Sequence, residues 1–247
     1  MPEIEGAVHR CSDWRSGRIS PGALLVTHWF GRRGASGQKE LTFANTITTG
    51  NAPTFRRIVL VCASYYMLVG IALHFLEPEY DPRFQFMSDY VWGAYGWLMT
   101  TTFFVLGLAV LTVAIGVRGV HQSSRSARVG FGLLVIGALF VCLAGVFRGF
   151  PLHDAASAVG IPSLLMAAVL LSWSFRTAAE WQAIHAATFL ISIGMFAAVV
   201  SMVVDIGMPG LQQRAFLFLL LLWLCIVVHR LVRVTAGLVQ RLYPPAT

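Results

Sequence analysis

Ser88 and Asp89 stand side by side in the stretch His74–Trp97 (HFLEPEYDPRFQFMSDYVWGAYGW), which also holds Glu77, Glu79 and Asp81. A second polar stretch, RGFPLHDAASAVG, brings Arg148, His153 and Asp154. Carboxylates beside a histidine do general acid–base work when their pKa values are shifted, and grouped carboxylates hold hard cations. An arginine near two acids equally forms a structural ion pair at a membrane edge. No HExxH, GxSxG or HxxxH spacing accompanies these residues, so no catalytic residue and no metal ligand is assigned. The candidates for ligand contact are Glu77, Asp81, Ser88, Asp89, Tyr90, Trp97, Arg148, His153 and Asp154.

The elements that must position them are membrane helices. Of the 247 residues 57% are hydrophobic and only 12% charged, and the mean hydropathy is +0.71. Average soluble domains carry about 25% charged residues. The fold class expected is all-α: a polytopic integral membrane protein with a six-helix bundle. The lipid bilayer is its first partner. A net charge of +7 would suit nucleic acid, but the arginines cluster at the ends of apolar segments, as topology determinants do. No nucleic-acid partner is expected. The lone lysine, Lys39, lies outside every apolar run, which excludes a retinal-type Schiff base on a membrane helix.

Cys62, Cys142 and Cys225 sit inside apolar runs, and neither they nor Cys11 form a CxxC. They read as small packing residues, not as a disulfide framework or zinc site. Haem ligation needs two histidines at one depth. His185 with His229, and His74 with His153, meet that condition only loosely, and single interfacial histidines are ordinarily hydrogen-bonders. No cofactor is expected.

Residues 1–53 are rich in Gly, Ser, Thr and Arg, and their apolar clusters (Ala23–Val26, Trp29–Phe30) are too short for a signal-peptide core. They read as a basic, largely disordered cytoplasmic tail, and residues 54–247 as the membrane domain. The spans expected are about Ile58–Leu76, Trp92–Val117, Val129–Phe147, Ile161–Phe175, Ile184–Ile206 and Leu211–Val232. Pro162 is placed in the first turn of the fourth span. Gly207-Met208-Pro209-Gly210 is a tight turn, across which Asp205 and Arg214 are expected to pair. Four acids against Arg83 mark the first loop, whereas the second carries Arg118, Arg125 and Arg128 with no acid. The positive-inside rule then puts both termini in the cytoplasm and the acidic loop outside, in an inner or plasma membrane.

Three motifs add a resemblance: Ser88-Asp89-Tyr90; Gly93, Gly96, Trp97 and Met99 in a G-x-x-G-W-x-M run; and Phe150, Pro151 and Asp154 in F-P-x-x-D. Over about Ile58–Val234 the chain resembles a bacterial six-helix membrane family known as domain of unknown function 998. The resemblance implies the fold and a membrane location, and no established activity. It also implies a histidine in the span after F-P-x-x-D, where this chain has Ile161-Pro162-Ser163.

The function expected is binding or moving a small molecule or lipid through an outward-facing polar pocket. The runner-up is a membrane-embedded enzyme acting on a lipid at the outer leaflet.

Overall fold

A computed structural model describes residues 51–121, 124–148, 151–204 and 206–242. The tail reading of residues 1–50 therefore lies outside the described residues, as do Phe150 and the expected Asp205–Arg214 pair. The protein is an all-α integral membrane bundle. Six helices are long and apolar enough to cross a membrane: α1 (Asn51–Leu76), α2 (Gly96–Val120), α3 (Arg125–Val146), α4 (Pro151–Phe175), α5 (Gln182–Val203) and α6 (Pro209–Leu242). A short 3-10 helix, Met87–Trp92, precedes α2. Large apolar side chains such as Leu68, Phe75 and Leu190 remain exposed on the outer faces. That is the surface a hydrocarbon solvent requires, since lipid tails do not drive such groups inward.

From α2 onward each helix packs on its neighbour in sequence, and α6 returns to α2. Helix α1 joins α2 through the Tyr65 hydroxyl and Thr101 Oγ1, 2.6 Å apart. Close approach of α3 and α4 depends on small residues. Leu171 and Leu164 of α4 fill the space beside Gly130 and Gly137 of α3, where a β-carbon would meet them. Deeper in the bundle, Trp223 Nε1 donates to Ser172 Oγ (2.9 Å), and the Ser172 and Ser192 hydroxyls lie 3.3 Å apart. Ser192 donates onward to the Thr188 carbonyl, so these buried polar groups on α4, α5 and α6 satisfy one another.

Several helix boundaries differ from expectation, those of α1, α4 and α6 most. Helix α1 already includes Asn51, ahead of the expected start at Ile58. Helix α4 begins at Pro151, not Ile161, so His153 and Asp154 belong to a helix and not to a loop. Pro151 supplies the preset φ of a first helical residue, and Asp154 complements the positive helix end. Pro162 consequently lies inside α4, on an exposed face. Helix α6 is 34 residues, about 51 Å at 1.5 Å per residue. It overruns a hydrocarbon core of about 30 Å.

The two ends of the bundle differ in charge. One end carries Glu77, Glu79, Asp81, Asp89 and Asp154 with Arg83, Arg148 and Arg214. The other carries Arg56, Arg57, Arg118, Arg125, Arg128, Arg176, Arg230, Arg233 and Arg241, with Glu180 as its acid among the described residues.

Candidate functional site

At the acidic end, residues 77–95 fold back as a cap. Glu77 follows α1 and is almost wholly buried. Its Oε1 accepts the Tyr95 backbone N–H at 2.5 Å, and its carboxylate lies over Gly93, where a β-carbon would collide with it. Gly93 ends the 3-10 helix, which explains why Trp92 and Tyr95 precede α2 instead of starting it. Within the 3-10 helix, Asp89 Oδ2 accepts the Phe86 N–H at 2.7 Å.

Helix α6 holds the cap from the side. Leu211 N–H donates to the Arg83 carbonyl (3.2 Å), Arg214 Nη1 to the Gln85 carbonyl (2.8 Å), and Met87 N–H to Gln213 Oε1 (2.6 Å). Tyr90 is buried among the rings of His74 and Tyr80. Arg214 Nη2 donates to its hydroxyl at 3.3 Å. Burial pushes the Tyr90 phenol up, and the nearby Arg214 charge opposes that rise. On the surface, Arg83 forms an ion pair with Asp81 (2.7 Å) and holds its carboxyl down to about 2.

Between the 3-10 helix and the facing ends of α3 and α4 lies a cavity of about 400 Å³, lined by Ser88, Asp89, Arg148, His153 and Asp154. Arg148 does not pair with either acid. Its Nη1 donates to Thr100 Oγ1 of α2 at 2.6 Å, and no carboxylate among the described residues lies within 4.0 Å of it. His153 Nδ1 lies 2.8 Å from the Ala144 carbonyl. A carbonyl only accepts, so Nδ1 carries a proton, and the neutral ring keeps its lone pair on Nε2.

Ser88 and His153 also line a narrow apolar slot of about 60 Å³ beneath this cavity, walled by Met99, Leu106, Val141 and Phe216. Tyr66, Met87 and Leu217 line both that slot and a groove of about 170 Å³ between α1 and α6, to which His74 and Arg214 contribute. A polar cavity, an apolar slot and a lateral groove thus adjoin one another.

The family model for proteins of unknown function designated DUF998 matches residues 60–230, more than two thirds of the chain. The chain belongs to the DUF998 family. No curated protein and no solved structure matches it. The DUF998 match begins inside α1 and ends inside α6, so it takes in the cap, α2 to α5 and most of α1 and α6.

In this DUF998 chain five of the nine candidate residues, Ser88, Asp89, Arg148, His153 and Asp154, meet at the cavity. Four do not. Glu77 and Tyr90 are buried supports of the cap, Asp81 is committed to Arg83 at the surface, and Trp97 is exposed on the first turn of α2. The expected ion pair of Arg148 with Asp89 or Asp154 is replaced by the bond to Thr100. Sequence reasoning passed over Thr100 and Gln213. Gln213 carried a signal: a polar residue one turn into an apolar helix, on the same face as Pro209-Gly210.

Proposed function

We propose that this DUF998 protein binds an amphiphile, a lipid or lipid-like small molecule, at the acidic end of the bundle. The polar head occupies the outer cavity, and the proximal part of the apolar chain enters the slot. One observation carries the reading: Ser88 and His153 border both spaces, so a single ligand touching them has a wet side and a dry side. The charge difference between the two ends supports placing the acidic end outside and both termini in the cytoplasm. The head then sits at the level of outer-leaflet headgroups.

The test is native mass spectrometry of the full-length, delipidated protein titrated with dihexanoyl phospholipids. Ser157→Leu fills the slot from a half-buried position on α4 and is expected to weaken lipid binding several-fold with an unchanged melting temperature. Undiminished binding by a folded Ser157→Leu protein would overturn this reading.

A second reading, an enzyme acting on a lipid at the outer leaflet, is favoured by the His153 geometry. Its Nδ1–H is held by a carbonyl, leaving Nε2 as the basic nitrogen of a ring that lines the same cavity as the Ser88 hydroxyl. Lipid hydrolysis by the wild type that His153→Gln abolishes without loss of binding would establish it. Absence of turnover across a panel of outer-leaflet phospholipids would dismiss it.

A further inference from the structure

The cavity holds opposite charges apart. Arg148 Nη1 donates to Thr100 Oγ1, and the guanidinium forms no ion pair among the described residues. Asp89 spends Oδ2 on the Phe86 N–H and keeps Oδ1 without a partner among the described residues. Asp154, on the first turn of α4, has neither hydrogen bond nor ion pair to another described residue. One cation and two acids therefore line a single space of about 400 Å³ without neutralising one another. Arg148 and Asp154 are exposed and Asp89 is half-buried, so the three charges stay open to a ligand that reaches this end of the bundle.

We propose that the ligand carries the matching pair: an anionic phosphate that meets Arg148 and a primary ammonium that meets Asp89 and Asp154. This rests on the amphiphile reading above and narrows it to an aminophospholipid headgroup of the ethanolamine type. An arginine fork suits phosphate oxygens. Carboxylate oxygens accept N–H hydrogen bonds, which a primary ammonium supplies and a trimethylammonium lacks. A headgroup without an amine leaves both acids facing the phosphate. The same chemistry exists in a soluble zwitterion, but the adjoining apolar slot favours the lipid.

The experiment compares four probes on the full-length delipidated protein: dihexanoyl phosphatidylethanolamine, phosphatidylglycerol and phosphatidylcholine, and glycerophosphoethanolamine, which is the headgroup without tails. The ethanolamine lipid should bind about five- to tenfold tighter than the other two lipids, the scale of two exposed charge pairs. Asp154→Asn, a change at an exposed residue with no ion pair among the described residues, should erase that preference with at most a small fall in melting temperature from the lost helix-end charge. Arg148→Gln should weaken all three lipids. Equal binding of the three lipids by wild type would overturn the headgroup assignment and leave the amphiphile reading standing. No binding of any lipid would overturn both. Glycerophosphoethanolamine binding as tightly as the lipid would uphold the zwitterion chemistry and overturn the part played by the slot.

Discussion

The Glu77 carboxylate occupies the space that a β-carbon on residue 93 would need. The contact ties the end of α1 to the start of α2, because the same carboxylate accepts the Tyr95 N–H. Gly93→Ala forces the carboxylate out of a buried position and breaks that bond. The expected destabilisation is about 1–3 kcal/mol, as for overpacking elsewhere. In the double variant Glu77→Ala/Gly93→Ala the collision is gone, so the loss should be smaller than the sum of the singles. Denaturant unfolding of the purified protein measures both, and strict additivity would refute the contact.

His121, just past the end of α2, is buried against Phe175 and Trp181. The hydroxyl of Ser174 spends its proton on the Leu171 carbonyl, so His121 Nε2 is the donor in the 2.7 Å contact between ring and hydroxyl. Burial favours the neutral ring and lowers its pKa below 6.5, with Glu180 opposing more weakly. As pH falls through about 6.5 the unfolded chain takes up the proton first, so stability declines from there until the folded-state pKa is reached. The melting temperature should therefore fall between pH 7.5 and pH 5.5. His121→Asn should lose that part of the dependence, and an identical pH slope in wild type and variant would count against the assignment.

The spans were legible because a bilayer demands long apolar runs, and such runs survive in composition without any knowledge of packing. What the sequence hid was local. RGFPLHDAASAVG looks like a loop by polarity, yet Pro151 starts a helix there and places His153 and Asp154 on its first turn. Topology alone groups Ser88, Asp89, Arg148, His153 and Asp154 at one end of the bundle, since odd-numbered loops share one side, but it does not single them out from Glu77, Asp81, Tyr90 and Trp97 as the residues that line one cavity. The partner of Arg148 was not readable. Complementary charge suggested an acid, whereas the neutral Thr100 on an adjacent helix lies within reach and forms the bond. Gly93 and Gly96 were visible as a motif, but the reasons for them, the Glu77 carboxylate beside Gly93 and the Val91 carbonyl beside Gly96, depend on how the cap folds.

The orientation of the bundle is open to direct labelling. Glu79 and Arg125 are both exposed and lie at opposite ends. In intact cells a membrane-impermeant maleimide should modify Glu79→Cys and spare Arg125→Cys until the membrane is permeabilised. The reverse pattern would invert the topology, and modification of both in intact cells would contradict six spans.

Removal of two arginines at the acidic end should cost very different amounts of stability. Arg148 is exposed, and among the described residues its side chain bonds to the neutral Thr100. Arg214 is half-buried and donates to the Gln85 and Gly210 carbonyls and to the Tyr90 hydroxyl. It thus joins α6 to two points of the cap. Arg148→Ala should change stability by less than about 1 kcal/mol, the range of exposed charge contacts. Arg214→Ala strands buried carbonyl and phenol groups. Hydrogen bonds to a charged group are worth about 1.5–3 kcal/mol each, so the loss should exceed that of Arg148→Ala by about 2 kcal/mol or more. The difference also separates the roles of the two residues. Ligand affinity should follow Arg148, and folding of the cap, read as the unfolding midpoint, should follow Arg214. A larger stability loss from Arg148→Ala than from Arg214→Ala would show that Arg148, and not Arg214, holds the outer end of the bundle together.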